Sequence, residues 1–242
     1  MQAKTHRLIG HAPSEGIGAK SVCFSGSRPR RLFVLSPANV RSVRGNLLFG
    51  ESGQSALWQR LRNGRVPVGE IFSFISGLYF RGKLAYARAF ANAPAGVPGI
   101  VLITSSAGLV SPDRLVTLED LREMTTGRVD ASDSGYRIPL ESDARLLCEK
   151  MGSHCEVVLL GSIATPKYID PLLGVFRERL MFPGEFVGRG DMSRGGLLLR
   201  CVREQTELTY VPVLGATLHG ARPSRLPQPA RRSASADRRS HR

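Results

Sequence analysis

Short runs of unbroken hydrophobicity alternate along this chain with longer stretches in which apolar residues recur every three or four positions. The unbroken runs are 31–35 (RLFVL), 99–104 (GIVLIT), 156–160 (EVVLL), 179–182 and 208–213. Each has strand length and most end at Ser, Pro or Gly, as strands do. Apolar character on both faces is the mark of strands buried inside a parallel sheet. Helical spacing appears over 52–62 and over 69–91, where Gly77 and Gly82 are candidate breaks. It recurs over 117–126, with Thr117 as N-cap and Asp120 three residues on, and from Pro139, read as a first-turn proline, to Met151. Pro166 opens another helix to about residue 176, and 192–203 carries Leu197, Leu198, Leu199 and Val202. Segments 1–30 and 130–137 read as irregular. Strands alternating with helices predict an α/β fold, a three-layer α/β/α sandwich around a mostly parallel, Rossmann-like sheet. The expected organisation is a poorly ordered leader over 1–30, one domain over 31–220 and a disordered basic tail over 221–242.

In such sheets ligands bind beyond the carboxyl ends of the strands. Three of those ends carry small polar loops: Ser36-Pro37-Ala38-Asn39, Thr104-Ser105-Ser106-Ala107-Gly108 and Gly161-Ser162-Ile163-Ala164-Thr165-Pro166-Lys167-Tyr168. Hydroxyls and backbone N–H groups ahead of a helix favour anions, although helix capping alone also selects such residues. The densest cluster is Phe186-Val187-Gly188-Arg189-Gly190-Asp191-Met192-Ser193-Arg194-Gly195-Gly196. Gly188 and Gly190 permit close ligand approach, Arg189 and Arg194 suit a phosphate or carboxylate, and Asp191 or Ser193 suits either a helix cap or a ligand. The segment is neither a P-loop nor the dinucleotide fingerprint. Leu78 to Ala87 mixes Tyr79, Phe80 and Tyr86 with Arg81 and Lys83. It is either a base-stacking surface or an amphipathic helix whose cations snorkel to solvent.

Composition narrows the classes. The 242 residues are 42% hydrophobic and 22% charged, ordinary for a globular protein. No apolar stretch is long enough to span a membrane and the N-terminus has no hydrophobic signal core, so a cytoplasmic protein is expected. The net charge of +14 sits mainly in the ends: residues 1–31 hold six Lys/Arg against one acid, and 221–242 hold seven Arg against one acid. Such tails either solubilise the chain or lend nonspecific affinity for nucleic acid. Four cysteines and five histidines show no metal-ligand spacing, and no nucleophile elbow is present, so neither a metal nor another cofactor is expected.

Three blocks resemble the bacterial YaaA-like domains and, more distantly, a domain of archaeosine synthases. They are Leu78 to Ala87, Val101 to Pro112 (VLITSSAGLVSP), and Val157 to Leu172 followed by Pro183 to Gly190. Together they span about 78–200. The first strand of that group usually leads into Ser/Cys and Lys residues, whereas here Ser36-Pro37-Ala38-Asn39 follows it. The resemblance implies a nucleotide or nucleic-acid context, such as base or nucleoside modification or a stress response.

These readings combine into one expectation: a domain that recognises a nucleotide, nucleoside or nucleic-acid element at the carboxyl edge of its sheet. Ser105, Ser106, Gly108, Gly161, Ser162, Gly188, Gly190 and Ser193 would supply backbone and hydroxyl contacts. Lys167, Arg189 and Arg194 would hold phosphate, and Tyr168 would stack or hydrogen-bond. In an enzyme, Asp191 helped by Glu185 would be the acid/base, with metal-free N-glycosidic bond chemistry. The alternatives are a non-catalytic interaction protein and a nonspecific DNA binder acting through its basic tails.

Overall fold

The longest apolar runs become the inner strands of one sheet. A computed structural model describes residues 28–50 and 55–216. In chain order it contains β1 (Arg30–Leu35), α1 (Val43–Phe49), α2 (Ala56–Asn63), β2 (Val66–Pro67), α3 (Val68–Ser76) and α4 (Leu78–Phe90). Then come β3 (Ile100–Ile103), β4 (Leu109–Val110), β5 (Leu115–Val116), α5 (Leu118–Met124) and α6 (Ser134–Met151). The last part holds β6 (Cys155–Leu160), α7 (Pro166–Phe176), β7 (Leu180–Pro183), α8 (Asp191–Glu204) and β8 (Tyr210–Pro212). The sheet order is β4-β3-β1-β6-β7-β8. Its inner four strands are parallel, and the short edge strands β4 and β8 run antiparallel.

Side chains alternate across β1, and that alternation defines the layers. Phe33 and Leu35 join Leu102, Val158 and Leu160 in a core covered by α3, α4 and α8, with α1, α2 and α5 at its margin. Leu32 and Val34 join Val101, Val157 and Leu159 in a second core under α6 and α7. The result is the three-layer α/β/α sandwich of a Rossmann-like fold. The described helices include none long and apolar enough to cross a membrane. The leader (apart from residues 28–30) and the tail over 221–242 lie outside the described residues.

Three local readings change. The 69–91 stretch breaks only at Gly77, whose φ of 62° suits glycine, while Gly82 stays inside α4. The irregular reading of 130–137 gives way to a helix that begins at Ser134, because the Asp133 side chain accepts the Gly135 N–H as an N-cap. Pro139 therefore lies within α6 and not in its first turn. Neither Asp191 nor Ser193 caps α8, whose N-cap is Gly190 without a side-chain bond. At Thr117 the expected cap forms, as a full capping box with Asp120.

Candidate functional site

Because the chain places β3 on one side of β1 and β6 on the other, the helices after β1 and β6 pack on opposite faces of the sheet. Open α/β sheets bind ligands in the crevice such a reversal leaves. Here a cleft of about 390 Å³ opens at the carboxyl edge, lined by the segment after β1 (Pro37 to Arg41), the end of β3 (Thr104, Ser105), Thr125 to Asp130, and Lys167 and Tyr168 of α7. That volume is within the range of small-ligand sites. Arg41, Arg128 and Lys167 contribute three cations to the lining. The single lining carboxylate, Asp130, accepts from the Ser132 amide and hydroxyl, and these bonds hold it below the usual carboxylate range. Among the described residues no ion pair engages any of the three cations. Phe72 and Tyr168 supply aromatic surface. A second cleft, about 450 Å³, lies beside α3 and α4, where Arg88 is already paired with Asp113 at 2.6 Å. Its lining includes no residue from the carboxyl ends of the six-stranded sheet, so the smaller cleft is the better candidate.

Behind the carboxyl-edge cleft lies a buried lysine of α4. Lys83 is 1% exposed, so it does not snorkel. Its Nζ donates to the Ser36 carbonyl at 2.6 Å and lies 2.8 Å from Ser36 Oγ. The rings of Tyr79 and Phe80 face the amine with centroids 4.6 and 4.9 Å away. No described carboxylate pairs with it. Burial pushes the amine down to about 7, and the distant charges of Asp191 and Arg194 act on it in opposite senses. Tyr168, on α7, lines the cleft and lies close to the Ser36 side chain. Burial raises its phenol above the ordinary range. Among the described residues the buried Tyr79 hydroxyl has no partner within hydrogen-bond geometry, and burial pushes it up to about 12 although nearby Arg194 opposes the shift.

The residues singled out in the sequence divide between this cleft and several other places. Ser105, Lys167 and Tyr168 line it. Ser105 also donates to the carbonyls of Met124 and Thr126, closing the end of α5. Gly161 sits under the site, where a Cβ would come within 3.1 Å of Ser36 Cβ and 3.3 Å of its Oγ. Ser162 accepts the Ala164 N–H in its own turn. Ser106 donates to the Glu123 carbonyl in a separate shallow depression. Gly108, at φ 62°, makes the turn into β4 against Asp143, which accepts the Leu109 N–H.

The Gly-rich segment before α8 is largely self-satisfied. Arg189 donates to the Glu185 carbonyl and to Ser193 Oγ. Arg194 donates to the Phe186 carbonyl and lies 3.9 Å from Asp191. Gly188 takes a positive φ of 72° and Gly190 is exposed. Gly195 is buried against α4. The Asp191 side chain is 72% exposed at the start of α8. Glu185 accepts the Thr209 N–H beside β8, away from the cleft. The structure therefore does not gather Asp191, Glu185, Arg189 and Ser193 around the strand-end cleft. It gathers Arg41, Arg128, Lys167 and Tyr168 there, above Ser36 and Lys83. Among the described residues no group of His, Cys, Asp and Glu is arranged to hold a metal ion.

Lys83 did carry a sequence signal. It falls four residues after Tyr79, three after Phe80 and four before Ala87, on the stripe that must be buried. Arg41 and Arg128 carried none, because only the fold brings their loops together. No family model, curated protein or solved structure matches this chain.

Proposed function

We propose that this protein binds a nucleotide, nucleoside or a phosphate-bearing element of nucleic acid in the cleft at the carboxyl edge of its sheet. The observation that carries the reading is the meeting of Arg41, Arg128 and Lys167 around one cleft, with Asp130 already engaged. Guanidinium and ammonium groups without carboxylate partners favour an anion, and arginine matches phosphate oxygens in a bidentate fork. Phe72 and Tyr168 offer flat apolar faces for a base. The resemblance to YaaA-like domains implies the same nucleotide context and forms part of this proposal.

Isothermal titration of the full chain with nucleoside monophosphates tests it. Binding is expected, and Arg41→Ala and Arg128→Ala are each expected to weaken it about tenfold, the scale of a charge-assisted hydrogen bond. Arg189→Ala, whose guanidinium serves its own turn, should leave the affinity within twofold. No binding, or binding that both cleft variants retain, rejects the proposal.

A further inference from the structure

The geometry points to Ser36 and Lys83 as a nucleophile and general base, a centre for acyl transfer buried behind the lining of the cleft. Ser36 is the first residue beyond β1, at the crevice between β1 and β6. Its Oγ donates to the Leu160 carbonyl at a long 3.3 Å and lies 2.8 Å from Lys83 Nζ. In the structure Nζ donates both to the Ser36 carbonyl, at 2.6 Å, and to Oγ, at 2.8 Å; in the neutral amine the bond to the carbonyl holds Nζ in place, and the Oγ proton turns from the Leu160 carbonyl to the amine lone pair. Gly161 adds no side chain against that hydroxyl, where even a Cβ would be within 3.3 Å of Oγ. Pro37 and Ala38, next in the chain, and Tyr168, beside Ser36, all line the cleft. Ser36 is 6% exposed, so a substrate reaches its hydroxyl only if the cleft lining beside it, Pro37, Ala38 or Tyr168, moves aside.

A lysine serves as a base only when neutral. The charged and titratable groups around Lys83 are Tyr79 on α4, Tyr168 on α7, and Asp191 and Arg194 on α8; none is within ion-pairing distance of the amine among the described residues. Burial then brings the amine to about 7, and a neutral fraction exists at ordinary pH. In the step, Ser36 Oγ bonds to the acyl carbon and Lys83 Nζ takes the hydroxyl proton. The bond from that carbon to the leaving oxygen breaks, and the leaving group departs with the proton from Lys83, or as the anion while Lys83 gives that proton to solvent, so the amine is neutral again. Water then adds to the acyl carbon, giving its proton to Lys83, and Ser36 leaves and is reprotonated. The substrate class, an ester or mixed anhydride on a phosphate-bearing molecule, rests on the nucleotide-binding reading; the Ser36–Lys83 pair does not.

The test is acetylation of the full chain by p-nitrophenyl acetate between pH 6 and 9, read by mass spectrometry of tryptic peptides. Ser36 is the one hydroxyl or amine side chain in the peptide spanning residues 32–41, so acetylation there identifies it. The expected result is an acetyl group on that peptide, gained at a rate that rises through about pH 7 and slows at least about a hundredfold in Lys83→Met. The label should vanish in Ser36→Ala. No label on residues 32–41 at any pH overturns the proposal, as does a label on Lys83 itself or an equal rate in a folded Lys83→Met. The wild-type measurement decides even if a variant fails to fold. Labelling without nucleoside monophosphate binding would reject the cleft reading alone. Binding without labelling would reject the Ser36–Lys83 pair alone.

Discussion

Lys83 imposes a cost whose size depends on pH. Its ordinary value of 10.5 applies in the unfolded chain and falls to about 7 in the fold. Below about pH 7 both states hold the proton, and the native state bears the full cost of a buried ammonium. Between about 7 and 10.5 the native state has shed a proton that the unfolded chain keeps, so stability rises with pH. Above that window both amines are neutral and the cost is gone. The shift corresponds to roughly 5 kcal/mol as an order of magnitude, before the hydrogen bonds and aromatic faces offset part of it. Lys83→Met keeps the apolar stem and removes the charge. It is expected to stabilise the protein by about 1 kcal/mol or more at pH 6, with the gain shrinking toward pH 10. Denaturant melts at several pH values measure this, and a gain that stays constant with pH would show that the lysine is not an unpaired buried charge.

At the scale of elements, α4 and α8 meet through glycine. A Cβ on Gly82 would lie 2.8 Å from the Gly195 carbonyl oxygen, and one on Gly195 would lie 2.9 Å from that of Leu78. Backbone, not a flexible side chain, is the neighbour in both cases, so the helices would have to separate. Gly195→Ala is therefore expected to lower stability by about 1–3 kcal/mol, despite alanine's better helix propensity. Thermal unfolding checks this, and an unchanged or higher Tm would refute the close crossing. Gly195 and Gly196 resembled part of a ligand turn in the sequence; Gly196 faces open space, but Gly195 is demanded by the neighbouring helix, and such a glycine looks like one demanded by a ligand in one dimension. The four inner strands were legible because burial on both faces removes polar residues from them. The two-residue strands β2, β4 and β5 were not, since a pair of residues has no period. The start of α6 was misplaced because a proline was the more conspicuous boundary marker than the aspartate that caps the helix. Ser105, Lys167 and Tyr168 could be placed at the cleft from the rule about strand ends. Arg41 and Arg128 required the order of the sheet, and that order is set by contacts remote in sequence.

For the whole molecule, the cleft proposed to bind a nucleotide and the basic residues of 221–242 are separate candidates for contact with anions. The cleft presents three cations to one small ligand, whereas the last 22 residues carry seven arginines. Deleting 221–242 should lower nonspecific affinity for duplex DNA and reduce the steepness of its dependence on salt. The same deletion should leave nucleoside monophosphate affinity unchanged within twofold. Filter binding across a salt series, beside titration with the monophosphate, distinguishes them. A deletion that abolishes both would mean the tail contributes to the cleft.

The position of β1 also governs how the chain can acquire its shape during synthesis. The strand emerges early, yet its neighbours in the sheet are β3 and β6, and its Arg31 bonds to Glu156, 125 residues later. Both apolar faces of β1 stay uncovered until α4 and α6 have been made. Closure over such separations is slow, because the entropy of the intervening loop must be overcome first. The nascent chain therefore carries an exposed hydrophobic strand from the synthesis of β1 until that of β6 and α6, a window in which it is open to aggregation and to chaperones.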